Sequence, residues 1–138
     1  MTSIIRGVVA PGLIVVLATA SMPCFATEAS PSAFNNHCRT CHTVKEGDNR
    51  LGPSLHNIVG AKAGSSSGYP NYSQSMKGSG HVWDEATLDK FIENPEQVVP
   101  NNNMKPYKGI GDPAVRKQII DYLKSQGAPA SSNRSEPA

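Results

Sequence analysis

Two stretches in the second half of the chain place apolar residues at helical spacing. Leu88, Phe91 and Ile92 recur at steps of three and four, which predicts a helix over 84–93 opened by Asp84 and closed by Pro95. Val115, Ile119, Ile120, Tyr122 and Leu123 form the apolar face of a last helix, from the Asp112-Pro113 cap to about Gln126, with Gly127 just past its end. A shorter helix is expected after Ser30 as cap and Pro31 as first helical residue, with Phe34 on its buried side. Residues 43–70 are broken by Gly47, Gly52-Pro53, Gly60, Gly64 and Gly68 and read as loop; residues 73–77 have room for one or two turns. Asn101-Asn102-Asn103 reads as a polar loop. No stretch alternates like a strand and no segment repeats, so the pattern describes an all-α chain with about three main helices.

One run between the first helix and the loops changes the picture: Cys38-Arg39-Thr40-Cys41-His42. A Cys-x-x-Cys-His run is the attachment signature of c-type haem. Two thiols three residues apart share one side of a helical turn and can each add to a vinyl group. The adjacent His42 then offers an imidazole to the iron as proximal ligand. A structural zinc site would need a second ligand pair, whereas His56 and His81 are isolated. A thioredoxin-like redox pair would need a β-strand before the motif, and none is predicted there.

Composition and charge fit that chemistry. Residues 1–26 read as a cleavable secretory signal: Arg6 gives a positive start, 7–20 is an apolar run of 14 residues, and Ala26 ends it. That run falls short of the ~17–25 residues of a membrane span, so no stable membrane insertion is expected. Export also places the motif outside the cytoplasm, where haem is attached, and removes Cys24, leaving only Cys38 and Cys41. Without Arg6, 12 basic residues face 11 acidic ones, which is no footprint for nucleic acid. Residues 27–127 then form one domain, and the small polar tail at 128–138 is expected to be disordered. The domain is rich in Gly, Pro, Ser and Asn and poor in core residues; a large apolar cofactor would make up the deficit.

The residues alone leave the iron's sixth position open. Met76, Met104, His56 and His81 are candidates. Met104 follows Pro100 and three asparagines in an interhelical loop and has a soft thioether, yet methionine also serves simply as loop packing.

Taken together, residues 30–126 resemble the class I cytochromes c, mitochondrial cytochrome c and its bacterial periplasmic relatives. The stretches that carry the resemblance are 38–44, Gly52-Pro53-Ser54-Leu55-His56, Gly68-Tyr69, Tyr72-Ser73, Trp83, Glu93-Asn94-Pro95, Val99-Pro100, Met104, Gly109-Ile110 and 116–123. The resemblance implies an all-α class I cytochrome c fold around one covalent haem c, with Cys38 and Cys41 as attachment points and His42 and Met104 as axial ligands. It implies that the Pro53 carbonyl accepts a hydrogen bond from His42, that Tyr69, Tyr72 and Trp83 surround the haem propionates, and that Phe34 meets Tyr122 where first and last helices cross.

The same resemblance implies a soluble, monomeric periplasmic electron carrier rather than an enzyme. Its partners would be redox proteins: a quinol–cytochrome c reductase, a terminal oxidase or a periplasmic dehydrogenase. A second Cys-x-x-Cys-His, needed by a dihaem peroxidase, is missing. A gas-binding helical-bundle cytochrome would carry the motif near its C-terminus. Several positions depart from the family pattern. Phe91 stands where many relatives have a tyrosine beside the ligand sulfur, Ala61 replaces an arginine, and Ser30 replaces a glycine. Extra residues occur near Pro70-Asn71 and in Lys105-Pro106-Tyr107, so Pro106 and Tyr107 both compete to cover the haem edge. His37, Glu96, Gln97, Asn103, Gly111 and Asp112 occupy positions that are often lysine, leaving Lys45, Lys105 and Lys108 near that edge.

Overall fold

The computed structural model describes residues 29–127, so the signal at 1–26 and the tail at 128–138 lie outside the described residues. Five helices follow in order: α1 Ser32–His37, α2 Gln74–Gly78, α3 Glu85–Glu93, α4 Pro95–Val98 and α5 Pro113–Ser125. Among the described residues no strand forms; a lone antiparallel bridge joins Lys62 and Val82. No helix among them is long and apolar enough to cross a membrane.

Side-chain caps set most boundaries. The carboxylate of Asp84 accepts from the amide of Thr87 at 2.7 Å, and that of Asp112 from Ala114 at 2.8 Å with Pro113 beside it. The first helix begins one residue later than expected: Pro31 is its cap, and Ser30 only accepts from the amide of Ser32 at 3.3 Å. Pro95 does more than close α3. Asn94 ends α3 and caps the next turn by accepting from Gln97, so Pro95 becomes the first residue of α4.

Helices this short gain little from propensity and depend on packing. α5 is the frame: α1 crosses it on one side, where Phe34 and Tyr122 rings lie 5.2 Å apart, and α3 packs beside it. Ile119 is fully buried at that junction, with Phe34, Leu88, Ile92, Ile120 and Leu123 also in the core. Arg116 ties the same corner from inside. Its buried guanidinium donates to Asp89 of α3 at 2.7 and 3.3 Å and to the carbonyls of Ile110 and Gly111 at 3.0 and 2.9 Å. At Gly109 φ is +109°, and an added Cβ would collide with the Glu93 carbonyl, so the chain passes α3 there at a distance only glycine permits.

Because Ile119 has no exposed surface, Ile119→Ala should leave a cavity and cost about 2–5 kcal/mol, read as a lower denaturant midpoint with an unchanged slope.

Candidate haem site

The motif forms where α1 runs out. The amides of Cys38 and Arg39 donate to the Phe34 carbonyl, and those of Cys41 and His42 donate to the Cys38 carbonyl at 3.1 and 2.9 Å. This turn brings both sulfurs and the imidazole to one central cavity. The cavity has two adjoining lobes, an outer one of about 360 Å³ and an inner one of about 80 Å³. Cys38, His42, Phe91, Met104 and Tyr107 line both. Trp83, Leu88, Ile119 and Leu123 wall the inner lobe, whereas Leu51, Tyr69, Tyr72 and Met76 line the outer one.

His42 is fixed from behind. Its Nδ1 lies 2.8 Å from the Pro53 carbonyl oxygen. A carbonyl only accepts, so Nδ1 carries the proton and Nε2 keeps a free lone pair. Burial lowers the imidazole's pKa, which favours this neutral, ligating form. Gly52 seats the ring: its amide donates to Cys41 at 2.8 Å, and a Cβ there would overlap the imidazole.

The two sulfurs are free and half-buried. Burial, and secondarily Cys41, push the Cys38 thiol up to about 11. A dithiol that works by exchange needs the opposite shift, toward thiolate, so this environment does not suit redox cycling of the pair.

Of the four residues considered for the sixth position, the fold brings Met104 and Met76 to the cavity. His56 lies in a separate surface groove, and His81 Nε2 sits 3.3 Å from the Val98 carbonyl. Met76 was not distinguishable from Met104 by local sequence alone; only the path of α2 places it there.

The aromatic positions divide. Trp83 is buried, lines the inner lobe, and meets Phe91 with ring centroids 4.8 Å apart at a tilt of 55°. Tyr69 and Tyr72 pack edge to face at 4.9 Å. The Tyr69 hydroxyl donates to the Leu51 carbonyl at 2.7 Å, so its single proton is engaged. Pro106 lines only the outer lobe and is exposed. Tyr107 reaches both lobes and donates to the Ile92 carbonyl at 2.7 Å; burial, then Cys38, raises its pKa well above the ordinary phenol value. Sequence reasoning also missed Gly52 as the seat of the ring, although the Gly-Pro pair near the motif was the available signal.

The donor set fits haem: two thiols at attachment spacing, one imidazole with its far nitrogen bound, and a soft thioether, all lining one largely apolar cavity. An all-helical chain with this site is a covalent haem carrier in architecture. Comparison with known proteins gives the same answer. The family model for cytochrome c matches residues 28–127. The chain is 47% identical to cytochrome c2 of Rhodomicrobium vannielii over 93 residues, 64% of this chain and 70% of that one. It is 42% identical to cytochrome c2 iso-2 of Magnetospirillum fulvum over 70% of this chain and 97% of the relative. Among solved structures it is similar to cytochrome cH from Methylobacterium extorquens, with a TM-score of 0.63, 40% identity, and coverage of 70% and 95% of the two chains. The chain belongs to the cytochrome c family. It is therefore a monohaem electron-transfer protein rather than an enzyme, with one covalent haem c for which Cys38 and Cys41 supply the attachment motif.

Gly52→Ala drives a methyl group into the His42 ring. It should destabilise the haem-loaded protein by about 1–3 kcal/mol, seen as a lower denaturant midpoint together with an altered Soret band.

Proposed function

We propose that this protein is a periplasmic one-electron carrier whose haem iron is held between His42 and Met104. One observation carries the reading: His42, braced on its far nitrogen by Pro53, shares a single cavity with both thiols and with Met104. When bound, haem supplies one-electron exchange between Fe(II) and Fe(III). The chain's part is to hold, orient and insulate. Pro53 keeps the His42 ring in one tautomer and raises its basicity. Met104 is preferred to Met76 because it lines both lobes, whereas Met76 reaches only the outer one. Trp83 and Tyr72 are the donors best suited to the propionates, since a bare buried carboxylate is costly. Tyr69 contributes mainly by packing on Tyr72. Phe91 lends an apolar wall without a hydroxyl. With His42 and Met104 both holding it, the iron would have no position left for a substrate, which suits a carrier.

The signal-like segment at 1–26 and the similarity to bacterial cytochromes c2 support a periplasmic location. Transfer would take place at the outer mouth, with a reductase or dehydrogenase as donor and an oxidase or reductase as acceptor. Among the described residues Lys105 is the only Lys, Arg, Asp or Glu lining the outer lobe, and it is paired with Glu96 at 2.5 Å. Around it stand Leu51, 74% exposed, and the exposed His37, Asn71, Asn103 and Pro106. Such a face docks through brief, small-area contact with little charge steering.

Met104→Ala should leave haem attached, lower the reduction potential, and admit carbon monoxide to the ferrous protein. It should also strengthen binding of imidazole to the ferric protein at least about tenfold. A variant that stays inert to both ligands at wild-type potential assigns the iron's sixth ligand elsewhere. For docking, the bimolecular rate with the native redox partner should fall less than about tenfold from low to high salt. A loss nearer ~100-fold would mean that a lysine ring steers the encounter after all.

A further inference from the structure

The loop that carries Met104 has no regular secondary structure, yet its second asparagine is one of the most buried polar residues in the chain: Asn102 is 4% exposed. A buried amide must be satisfied, and Asn102 meets this condition by binding outward to two elements. Its Oδ1 accepts from the amide of Met104 at 2.9 Å. Its Nδ2 donates to the Val99 carbonyl at 3.0 Å and to Glu96 Oε1 at 3.1 Å. Glu96, on α4, also accepts from the amide of Asn101 at 3.0 Å and from Lys105 Nζ at 2.5 Å. The opposite side of the loop is tied as well: Asn103 donates to the Asn71 carbonyl at 2.9 Å, and Ser75 to that of Asn101 at 3.1 Å.

We propose that Asn102, braced by Glu96, is the positioning residue for Met104, setting how firmly the thioether is presented to the iron. The inference rests on Met104 being the distal ligand. The physical reason lies in the loop's lack of a backbone ladder. Among the described residues the Met104 amide has Asn102 Oδ1 as its acceptor, and Asn102 is itself locked to α4 through Val99 and Glu96. With the asparagine removed, the Met104 backbone loses its link to α4, while His42 and both cysteines on the other wall are untouched.

The test uses haem-loaded protein and three readouts: imidazole affinity of the ferric form, the far-red charge-transfer band that reports thioether bound to ferric iron, and the denaturation midpoint. Asn102→Ala should tighten imidazole binding about tenfold, roughly the worth of one net hydrogen bond, and weaken the far-red band. Ile120→Ala lowers stability from a buried position on α5 that lines neither lobe, and should change imidazole affinity less than about twofold; this separates positioning from general loosening. Glu96→Ala, at an exposed side chain that does not threaten folding, should tighten imidazole binding about threefold through the brace alone. Should Asn102→Ala fail to mature, this variant decides the matter. If Asn102→Ala or Glu96→Ala loses stability but keeps wild-type imidazole affinity and an intact band, the role is structural only and the proposal is overturned. Met104→Ala run in parallel tests the ligand reading on its own: if it keeps the band, that reading fails whatever the asparagine does.

Discussion

The hydrogen bond between His42 and the carbonyl of Pro53 is the constraint from which the rest of the site follows. It fixes the tautomer, and with Gly52 behind the ring it leaves the imidazole one direction in which to present its free nitrogen. The motif turn must then bring both sulfurs to the same side, which it does by hanging from the last carbonyls of α1. Another part of the wall comes from a distant stretch of the sequence, the loop after α4, which brings Met104 to the same cavity. α1, α3 and α5 hold these walls apart, and their packing around Ile119 and Arg116 is what a chain with so few core residues can afford.

Much of this was legible in the residues. α3 and α5 announce themselves through a capping aspartate and apolar positions at helical spacing, and the structure gives them close to the expected bounds. The motif specifies its own chemistry because few other uses call for a histidine directly after the second cysteine. What stayed hidden was how neighbouring local signals combine. Pro95 reads as a stop signal locally, yet Asn94 can cap a second turn across it, so α4 escaped notice. Three consecutive asparagines read as polar loop by composition, although Asn102 is buried, its amide turned back onto the Val99 carbonyl and onto Glu96 of α4. Pro106 and Tyr107 were two choices for the haem edge; both line the outer lobe, and Tyr107, tied to the Ile92 carbonyl, also reaches the inner one.

Charge is distributed with the same economy. The ion pairs among the described residues lie on the helices and loops, and Arg116 is the buried charge, with carboxylate and carbonyl oxygens around it. Its carboxylate partners are partly exposed, and its planar fork gathers Asp89 and the carbonyls of Ile110 and Gly111 at one point. That point is the junction of α3, α5 and the 109–111 turn. That junction also sets the course of the loop carrying Tyr107, through the amide of Ile110 donating to Ile92 at 2.9 Å.

The cavity has two unlike sides, an inner lobe lined by buried apolar residues and an outer one bordered by exposed ones. Trp83, Leu88, Ile119 and Leu123 close one side with apolar bulk, while the other side ends at Leu51 and Pro106 in water. A charge change in such a centre is felt unequally: low-polarity walls respond little, and solvent at the mouth responds freely. The fold thus acts as an insulated terminal with one bare contact. On the proposed reading, a partner that gives an electron and one that takes it would meet the same doorway, and so would take turns.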